Sequence, residues 1–287
     1  MDNLPILLMA GISGIVTGMD GLLNTMEKVQ KRNSAGAVLN LYKNLGETPR
    51  ERLERLRGRE RHLEHEVLSY AGRLDPMAEG VLLCLVGSAN KRREAYLELS
   101  KEYVLDVLFG FSTDTYDILG RVMETGDGSG VKRERIAKAL NQFRGELSQE
   151  YPPFSSKVVE GKSLFEWARS NALSSLVLPS RSVTVYEILL EGMYKVEEPD
   201  LLSYIQESVG KVNGDFRQEE VLRIWERHLK AAGSRRFACA TIKISCSSGT
   251  YARSIAHGLG AELGVSALAL HILRTKVGDY SVEKSLR

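Results

Sequence analysis

The chain has 287 residues, of which 43% are hydrophobic and 26% are charged, as in ordinary water-soluble globular proteins. Its net charge of +2 is too small to indicate nucleic-acid binding by itself, so any basic surface must be local. Its three cysteines (Cys84, Cys239 and Cys246) lack metal-ligand spacing, which argues against a cysteine metal cluster and predicts reduced thiols in a cytoplasmic protein.

The first 36 residues are predicted to be an N-terminal extension of unknown role. Their apolar part, residues 4–18, is shorter than the ~20 residues that a membrane-spanning helix needs. Asp2 stands where a secretory signal peptide needs Lys or Arg. We therefore expect neither a membrane anchor nor a signal peptide.

The next segment predicts a strand at residues 38–42 followed by an arginine-rich helix. Thr48 is suited to cap this helix, with Pro49 at its first position. Six arginines alternate with glutamates between residues 50 and 61, and most are expected to form ion pairs on a solvated face. Their excess makes this helix the best phosphate-contacting surface in the first quarter of the chain.

The stretch at residues 72–83 is predicted to hold one acid in a rigid turn before a buried strand. Pro76 fixes its own φ and biases Asp75 toward an extended conformation, and Gly72 and Gly80 permit close backbone approach. The apolar run at residues 81–86 predicts the buried strand. The carboxylate of Asp75 would then lie at the mouth of the sheet, where it either caps the turn or carries out chemistry.

The middle of the chain predicts alternating helices and strands. Ser88 is expected to cap a helix that runs to Leu99, and Tyr103 leads into a strand at residues 104–109. An amphipathic helix is predicted at residues 132–143, and a strand at 181–190.

Residues 197–235 predict an inserted pair of helices, at 200–209 and 219–232, before a final strand at 237–246. Two interpretations remain open for the insertion. It could be a packed hairpin with Leu222, Trp225 and Leu229 inward. It could instead be an RNA-contacting arm that ends in Lys230, Arg235 and Arg236.

Several of these segments together resemble the TruB-type pseudouridine synthases. The stretch GRLDPMAEGVL resembles the family signature GxLDPxAxGxL, although Arg73 is more typical of the related RsuA and RluA groups. The most specific segment for the TruB branch begins PPFSSK and ends LFEWAR, and is similar to PPxYSAxKxxGxxLYxxAR. KNLGETP, KEY, GFSTDTYD and CSSGTYARS are similar to further family motifs, so the resemblance spans residues 37–287 apart from the insertion.

The resemblance implies a site. Asp75 matches the catalytic aspartate, Arg253 the arginine that pairs with it, and Tyr103 the aromatic that stacks on the target uracil. Tyr70 occupies the position of a usual family histidine, so it is a departure from the pattern. Substrate contacts are expected from Tyr70, Gly72, Arg73, Lys43, Lys91, Lys157 and Leu273.

The resemblance also implies the fold and the activity. The fold would be α+β, a mixed and largely antiparallel central sheet flanked by helices, in one catalytic domain at residues 37–287. The activity would be conversion of the T-loop uridine of tRNA, at position 55, to pseudouridine. We expect a cytoplasmic monomer that binds the T-arm of tRNA, and no PUA RNA-binding domain after the catalytic domain. Substrate and product are isomers, so no cofactor or metal is expected. The alternatives are a synthase for another RNA and a catalytically inactive RNA-binding or chaperone protein.

Overall fold

The computed structural model describes residues 36–232 and 235–287, so the predicted extension lies outside the described residues except for Gly36. Within these ranges the strands are β1 (Val38–Lys43), β2 (Leu68–Ala71), β3 (Ala78–Val86), β4 (Lys101–Phe109), β5 (Phe111–Thr113), β6 (Val122–Thr125), β7 (Gly145–Glu150), β8 (Val158–Val159), β9 (Lys162–Ser163), β10 (Ser180–Glu197), β11 (Arg236–Cys246), β12 (Ala267–Val277) and β13 (Tyr280–Ser281). The α-helices of the same ranges are α1 (Pro49–Arg59), α2 (Arg93–Leu97), α3 (Arg133–Leu140), α4 (Leu164–Arg169), α5 (Glu198–Gly210), α6 (Gln218–Ala232) and α7 (Ala252–Leu263).

One nine-stranded sheet organises this part of the chain. Its strands run in the order β1-β3-β12-β4-β11-β10-β7, with β2 paired to β3 and β13 paired to β12. Strands β3 and β12 are parallel, and the other ladders of the sheet are antiparallel. The expected α+β class, with a mixed and largely antiparallel sheet, is confirmed.

Both faces of the central strands are buried, which explains why residues 81–86 of β3 are continuously apolar rather than alternating. On one face α3 and α7 pack over residues such as Leu105 and Ile242. On the other face the packing comes from α5 and α6, over residues such as Leu108 and Leu268. The turn of Asp75, which precedes β3, therefore stands on a sheet that is buried from both sides.

The predicted insertion folds as a helical hairpin, α5 and α6, which we call the hairpin. Its inward side chains Leu201, Ile205, Trp225 and Leu229 are fully buried. The indole Nε1 of Trp225 donates a hydrogen bond to the carbonyl of Ile118, 3.1 Å away. The hairpin covers the sheet face opposite α7, so its packing role is larger than that of a helix pair at the sheet edge.

Two local predictions have instructive outcomes. Thr48 caps α1 and forms a capping box with Glu51, as the sequence predicted. The predicted helix cap at Ser88 is wrong, because the chain first forms a 3-10 turn at Gly87–Arg92 and α2 is short. Ser88 Oγ instead accepts a hydrogen bond from the backbone of Gly36.

We predict that Trp225→Ala lowers the free energy of unfolding by about 3–5 kcal/mol, because it empties a fully buried site and leaves the Ile118 carbonyl unpaired. The matched control is Arg223→Ala on the exposed face of the same helix, which should stay within about 0.5 kcal/mol of wild type. Urea unfolding followed by circular dichroism measures both. A similar loss in the two variants would contradict a hairpin packed through Trp225.

Candidate active site

Asp75 lies in the tight turn that precedes β3. The backbone amide of Ala78 donates to the Asp75 carbonyl at 3.0 Å, which closes the turn. Gly80 has φ of 107°, and a Cβ there would approach the Arg274 carbonyl oxygen to 2.2 Å. Only glycine fits this position, because β3 and β12 run in parallel contact at this point. Gly80 therefore permits the close contact between β3 and β12 directly after the turn that carries Asp75.

Arg274 on β12 holds the start of this turn. Its side chain is fully buried, and its guanidinium donates to the carbonyls of Val81 (2.7 Å), Arg73 (3.1 Å) and Gly72 (3.2 Å). These bonds join β12 to both sides of Asp75. The sequence analysis gave Arg274 no role of its own, although a charged residue inside an apolar strand is the signal that could have identified it.

Arg253, at the second position of α7, pairs directly with Asp75. Its Nε lies 2.8 Å from Asp75 Oδ2, and only 2% of its side chain is exposed against 27% for Asp75. The remaining donors bind the carbonyls of Thr115 (2.7 Å) and Phe154 (2.9 Å). The guanidinium is thus hydrogen-bonded on three sides, which a buried charge requires. The predicted Asp75–Arg253 pair is present in the structure.

A loop after β5 supplies a second carboxylate, that of Asp117. It accepts hydrogen bonds from the Thr115 hydroxyl at 2.6 Å and the Leu119 amide at 3.0 Å. Burial raises the pKa of Asp117 from 3.8 to about 6, although the nearby Arg253 charge opposes the rise. Through these two hydrogen bonds Asp117 orders the loop.

Tyr103 on β4 lies beneath the site rather than in it. Only 8% of the residue is exposed, and it packs in the same apolar cluster as Leu74. Burial raises the pKa of its hydroxyl, an effect that the cross-strand neighbour Arg274 opposes. The hydroxyl is therefore protonated at neutral pH, and Tyr103 is absent from the lining of the pocket described below.

Asp75 opens into a pocket of about 470 Å³ that continues to the solvent. Three guanidinium groups and two carboxylates line it, together with three phenylalanine rings. The lining residues are Asp75, Pro76, Thr115, Asp117, Leu119, Phe154, Phe165, Arg169, Phe216, Arg217 and Arg253. Phe165 of α4 is in this wall. Phe216 and Arg217 come from the loop of the hairpin, and the sequence analysis did not connect them with the site.

Two residues that were predicted to contact the substrate, Lys43 and Leu273, are absent from the pocket lining. Lys43 is fully buried, and its amine donates to the carbonyls of Asn44 (2.9 Å) and Glu47, while burial lowers its pKa to about 7. These bonds stabilise the turn at residues 44–47. The Gly46 amide in that turn donates to the Pro76 carbonyl, so Lys43 supports the Asp75 turn from behind.

Leu273 of β12 pairs with Val104 of β4, and the neighbouring pair along the two strands is Arg274–Tyr103. Successive side chains of a strand point to opposite faces, so Leu273 projects away from the face that carries Tyr103. It is absent from the pocket lining described above. The expectation that Leu273 closes the site does not fit this placement.

The other predicted contacts lie outside the pocket lining. Tyr70 is half-buried, and its hydroxyl accepts from the Arg73 guanidinium at 3.4 Å. Gly72 has φ of 82° and contributes its carbonyl to the Arg274 clamp. Lys91 and Lys157 are exposed, and the amine of Lys157 lies over the Tyr151 ring. Their contact with RNA stays a prediction.

Neither metal-binding clusters nor membrane-spanning helices are found among residues 36–232 and 235–287. No group of three or more His, Cys, Asp or Glu side chains there is placed to hold a metal ion. No helix in those ranges is long and apolar enough to cross a membrane.

Comparison with known proteins identifies the relatives of this chain. A family model described as TruB family pseudouridylate synthase, N-terminal domain, matches residues 60–212. The tRNA pseudouridine synthase B of Caldanaerobacter subterraneus subsp. tengcongensis is 30% identical over 252 residues, which cover 88% of this chain and 72% of that protein. The tRNA pseudouridine synthase B of Gloeobacter violaceus is 32% identical over 248 residues, 86% of this chain and 70% of that protein.

Among solved structures, a chain from the crystal structure of a Cbf5–Nop10–Gar1 complex is similar in fold. The TM-score is 0.53 at 22% identity, and the match covers 88% of this chain and 52% of that chain. The likeness concerns the sheet and its helices, and supports the fold that the sequence resemblance implied.

We predict that the pH dependence of stability reveals the buried Asp117. A folded-state pKa raised from 3.8 to about 6 stabilises the fold below pH 3.8, and this stabilisation is lost as the pH rises through 6. The Asp117→Asn variant lacks this ionisable group, so the stability of wild type should fall by about 2 kcal/mol relative to Asp117→Asn between pH 4 and pH 7. Urea unfolding at each pH measures the difference, with Asp279→Asn in an exposed turn as the control. Parallel curves for wild type and Asp117→Asn would refute the assignment.

Proposed function

The chain belongs to the TruB family of pseudouridylate synthases, and from this we propose that it converts a uridine in the T-loop of tRNA, at position 55, to pseudouridine, with Asp75 as the catalytic carboxylate. The family match covers the Asp75 turn, the Tyr103 strand and the loop of Asp117. The two relatives compared above are named for action on tRNA, which supports the same substrate class here.

The reaction rearranges one nucleotide without net gain or loss of atoms. The bond from ribose C1′ to uracil N1 breaks, the base turns within the pocket, and a bond forms from C1′ to C5. The C5 proton is lost and N1 gains one, so substrate and product are isomers. The stoichiometry therefore requires no cofactor. A uridine in folded RNA must first leave its stack, at a cost of a few kcal/mol.

The observation that carries this proposal is the Asp75–Arg253 ion pair at the pocket. Within the described residues only Arg253 donates to the Asp75 carboxylate, and it uses Oδ2. The lone pairs of Asp75 Oδ1 are therefore available to a substrate atom. An ionised carboxylate beside C1′ can act as a nucleophile or remove a proton, and both routes need the anion that Arg253 stabilises.

Tyr103 is proposed to contact the uracil through its ring. It pairs across the sheet with Arg274, whose guanidinium holds the start of the Asp75 turn, so ring and carboxylate belong to one rigid unit. Because burial raises the pKa of the hydroxyl, the ring face is a better candidate for contact than the phenolate is for a base. Stacking of an unpaired base on an aromatic ring is a common mode of RNA recognition.

The proposal also covers the binding partner of the protein and its cellular compartment. Asp75, Tyr103 and Arg253 come from one chain, so we propose that a monomer binds the T-arm of tRNA. The three cysteines are free and buried, which favours a reducing compartment such as the cytoplasm.

We predict that the purified protein forms pseudouridine in an unmodified tRNA transcript with EDTA present, because the isomerisation requires no metal. Chemical mapping of pseudouridine after incubation measures the product and its position. A panel with ribosomal RNA fragments distinguishes tRNA from other substrates. Absence of product on several tRNAs, with a folded protein that still binds them, would favour the non-catalytic RNA-binding alternative.

We predict that Asp75→Asn abolishes turnover while tRNA affinity stays within about tenfold, or ~1.4 kcal/mol, of wild type. The amide preserves size and removes the anion, so the chemistry is lost and the pocket shape is kept. Single-turnover rates and equilibrium binding measure the two effects, with Asp279→Asn as a charge-matched control in an exposed turn. Substantial residual turnover would show that Asp75 is not the catalytic carboxylate.

A further inference from the structure

We propose that the loop of the hairpin forms one wall of the substrate site, with Arg217 contacting a phosphate of the RNA strand that carries the target uridine. This inference rests on the proposed function and adds a specificity-determining element to it. The family match ends at residue 212, so Phe216 and Arg217 lie beyond it.

The first observation is position. Phe216 and Arg217 line the same pocket as Asp75 and Arg253, although they are far from both in sequence. The hairpin packs on the sheet face opposite α7, and its loop reaches round to the pocket. A segment that served only to cover the sheet would not need to line the pocket of Asp75.

The loop is held in one conformation by its own side chains. Gln218 accepts from the Phe216 amide at 2.8 Å and donates to the carbonyls of Val212 (2.9 Å) and Gly214 (2.8 Å). Arg217 has φ of 62°, a left-handed conformation that is unfavourable for a residue other than glycine. Such a conformation persists only where surrounding contacts over-determine it, as they do here.

Those contacts tie the loop to two other parts of the pocket. The guanidinium of Arg217 donates to both carboxylate oxygens of Asp114, at 2.8 and 3.3 Å. Asp215 pairs with Arg169 of α4 at 2.9 Å. The hairpin loop is therefore fixed to the loop after β5 on one side and to α4 on the other.

The chemistry of this wall suits single-stranded RNA. Arg217 lies over the Phe154 ring, 4.4 Å from its centroid, and Arg169 lies over the Phe165 ring at 4.8 Å. Flat arginine and aromatic surfaces bind unstacked bases and the backbone beside them. A guanidinium has five N–H donors, and Asp114 engages two of those of Arg217.

The cations at the far end of the hairpin are less suited to this role. Lys230 pairs with Glu226 at 2.5 Å and Arg236 with Glu197 at 2.6 Å, and these pairs lie on exposed surface. Of the two interpretations that the sequence left open for the insertion, the packed hairpin is the one observed, and we place the proposed RNA contact at its loop rather than at Lys230 and Arg236.

The test measures binding of an unmodified tRNA T-arm stem-loop as a function of KCl concentration, in the Asp75→Asn background so that no turnover intervenes. Arg217→Gln removes the charge but can still donate to Asp114. We expect it to weaken binding about fivefold and to lower the slope of log affinity against log salt by about 0.7, the value of one phosphate contact. Arg217→Lys keeps the charge and should restore most of the slope.

The matched control is Arg223→Gln, which removes the same charge from the exposed face of α6 and should leave affinity and slope unchanged. Asp114→Asn removes the anchor but keeps the cation, so it should leave the slope unchanged. Equal salt slopes for wild type and Arg217→Gln would overturn the proposal. Equal losses in Asp114→Asn and Arg217→Gln would also overturn it, because Arg217 would then only hold the loop. The readout is binding, so it stands apart from a failure to form pseudouridine.

Discussion

The buried guanidinium of Arg253 is the interaction on which the site depends. A charge that is 98% removed from solvent must be paired and hydrogen-bonded, because desolvation of an unpaired ion costs several kcal/mol. Arg253 meets this requirement with groups from three separate segments, Asp75, Thr115 and Phe154. The same bonds that satisfy the charge therefore bring together the turn before β3, the loop after β5 and the segment before α4.

Arg274 performs the corresponding task below the turn. Its three bonds to backbone carbonyls on both sides of Asp75 hold the turn against β12, and the absence of a side chain at Gly80 lets the two strands meet. Arg253 thus orients the carboxylate of Asp75, and Arg274 orients the backbone of the turn that carries it. Pre-organisation of this kind lets a catalytic group act without rearrangement when the substrate arrives.

The hairpin links packing to the site. Its inner face, centred on Trp225, supplies much of the core on the sheet face opposite α7, and the Trp225 indole donates to Ile118 in the same loop that carries Asp117. Its loop is tied to Asp114 and Arg169 at the pocket. A change in the hairpin would therefore reach the pocket through the Thr113–Leu119 loop as well as through Phe216 and Arg217.

The sequence by itself determined most of the local structure and indicated the Asp75–Arg253 pair. A continuous apolar run predicted β3, alternation predicted β4, Thr48 and Pro49 predicted the start of α1, and the motif blocks predicted Asp75 and Arg253, because periodicity, capping and motif spacing are local properties of a chain. Tertiary structure decided the roles that depend on which face or depth a side chain reaches. Lys43 and Leu273 share motifs with the site but lie behind it or on the other face of the sheet, and a sequence motif carries no record of either. Phe216 and Arg217 join the pocket from more than 130 residues after Asp75, because only folding of the hairpin over the sheet carries that loop to the Asp75 turn.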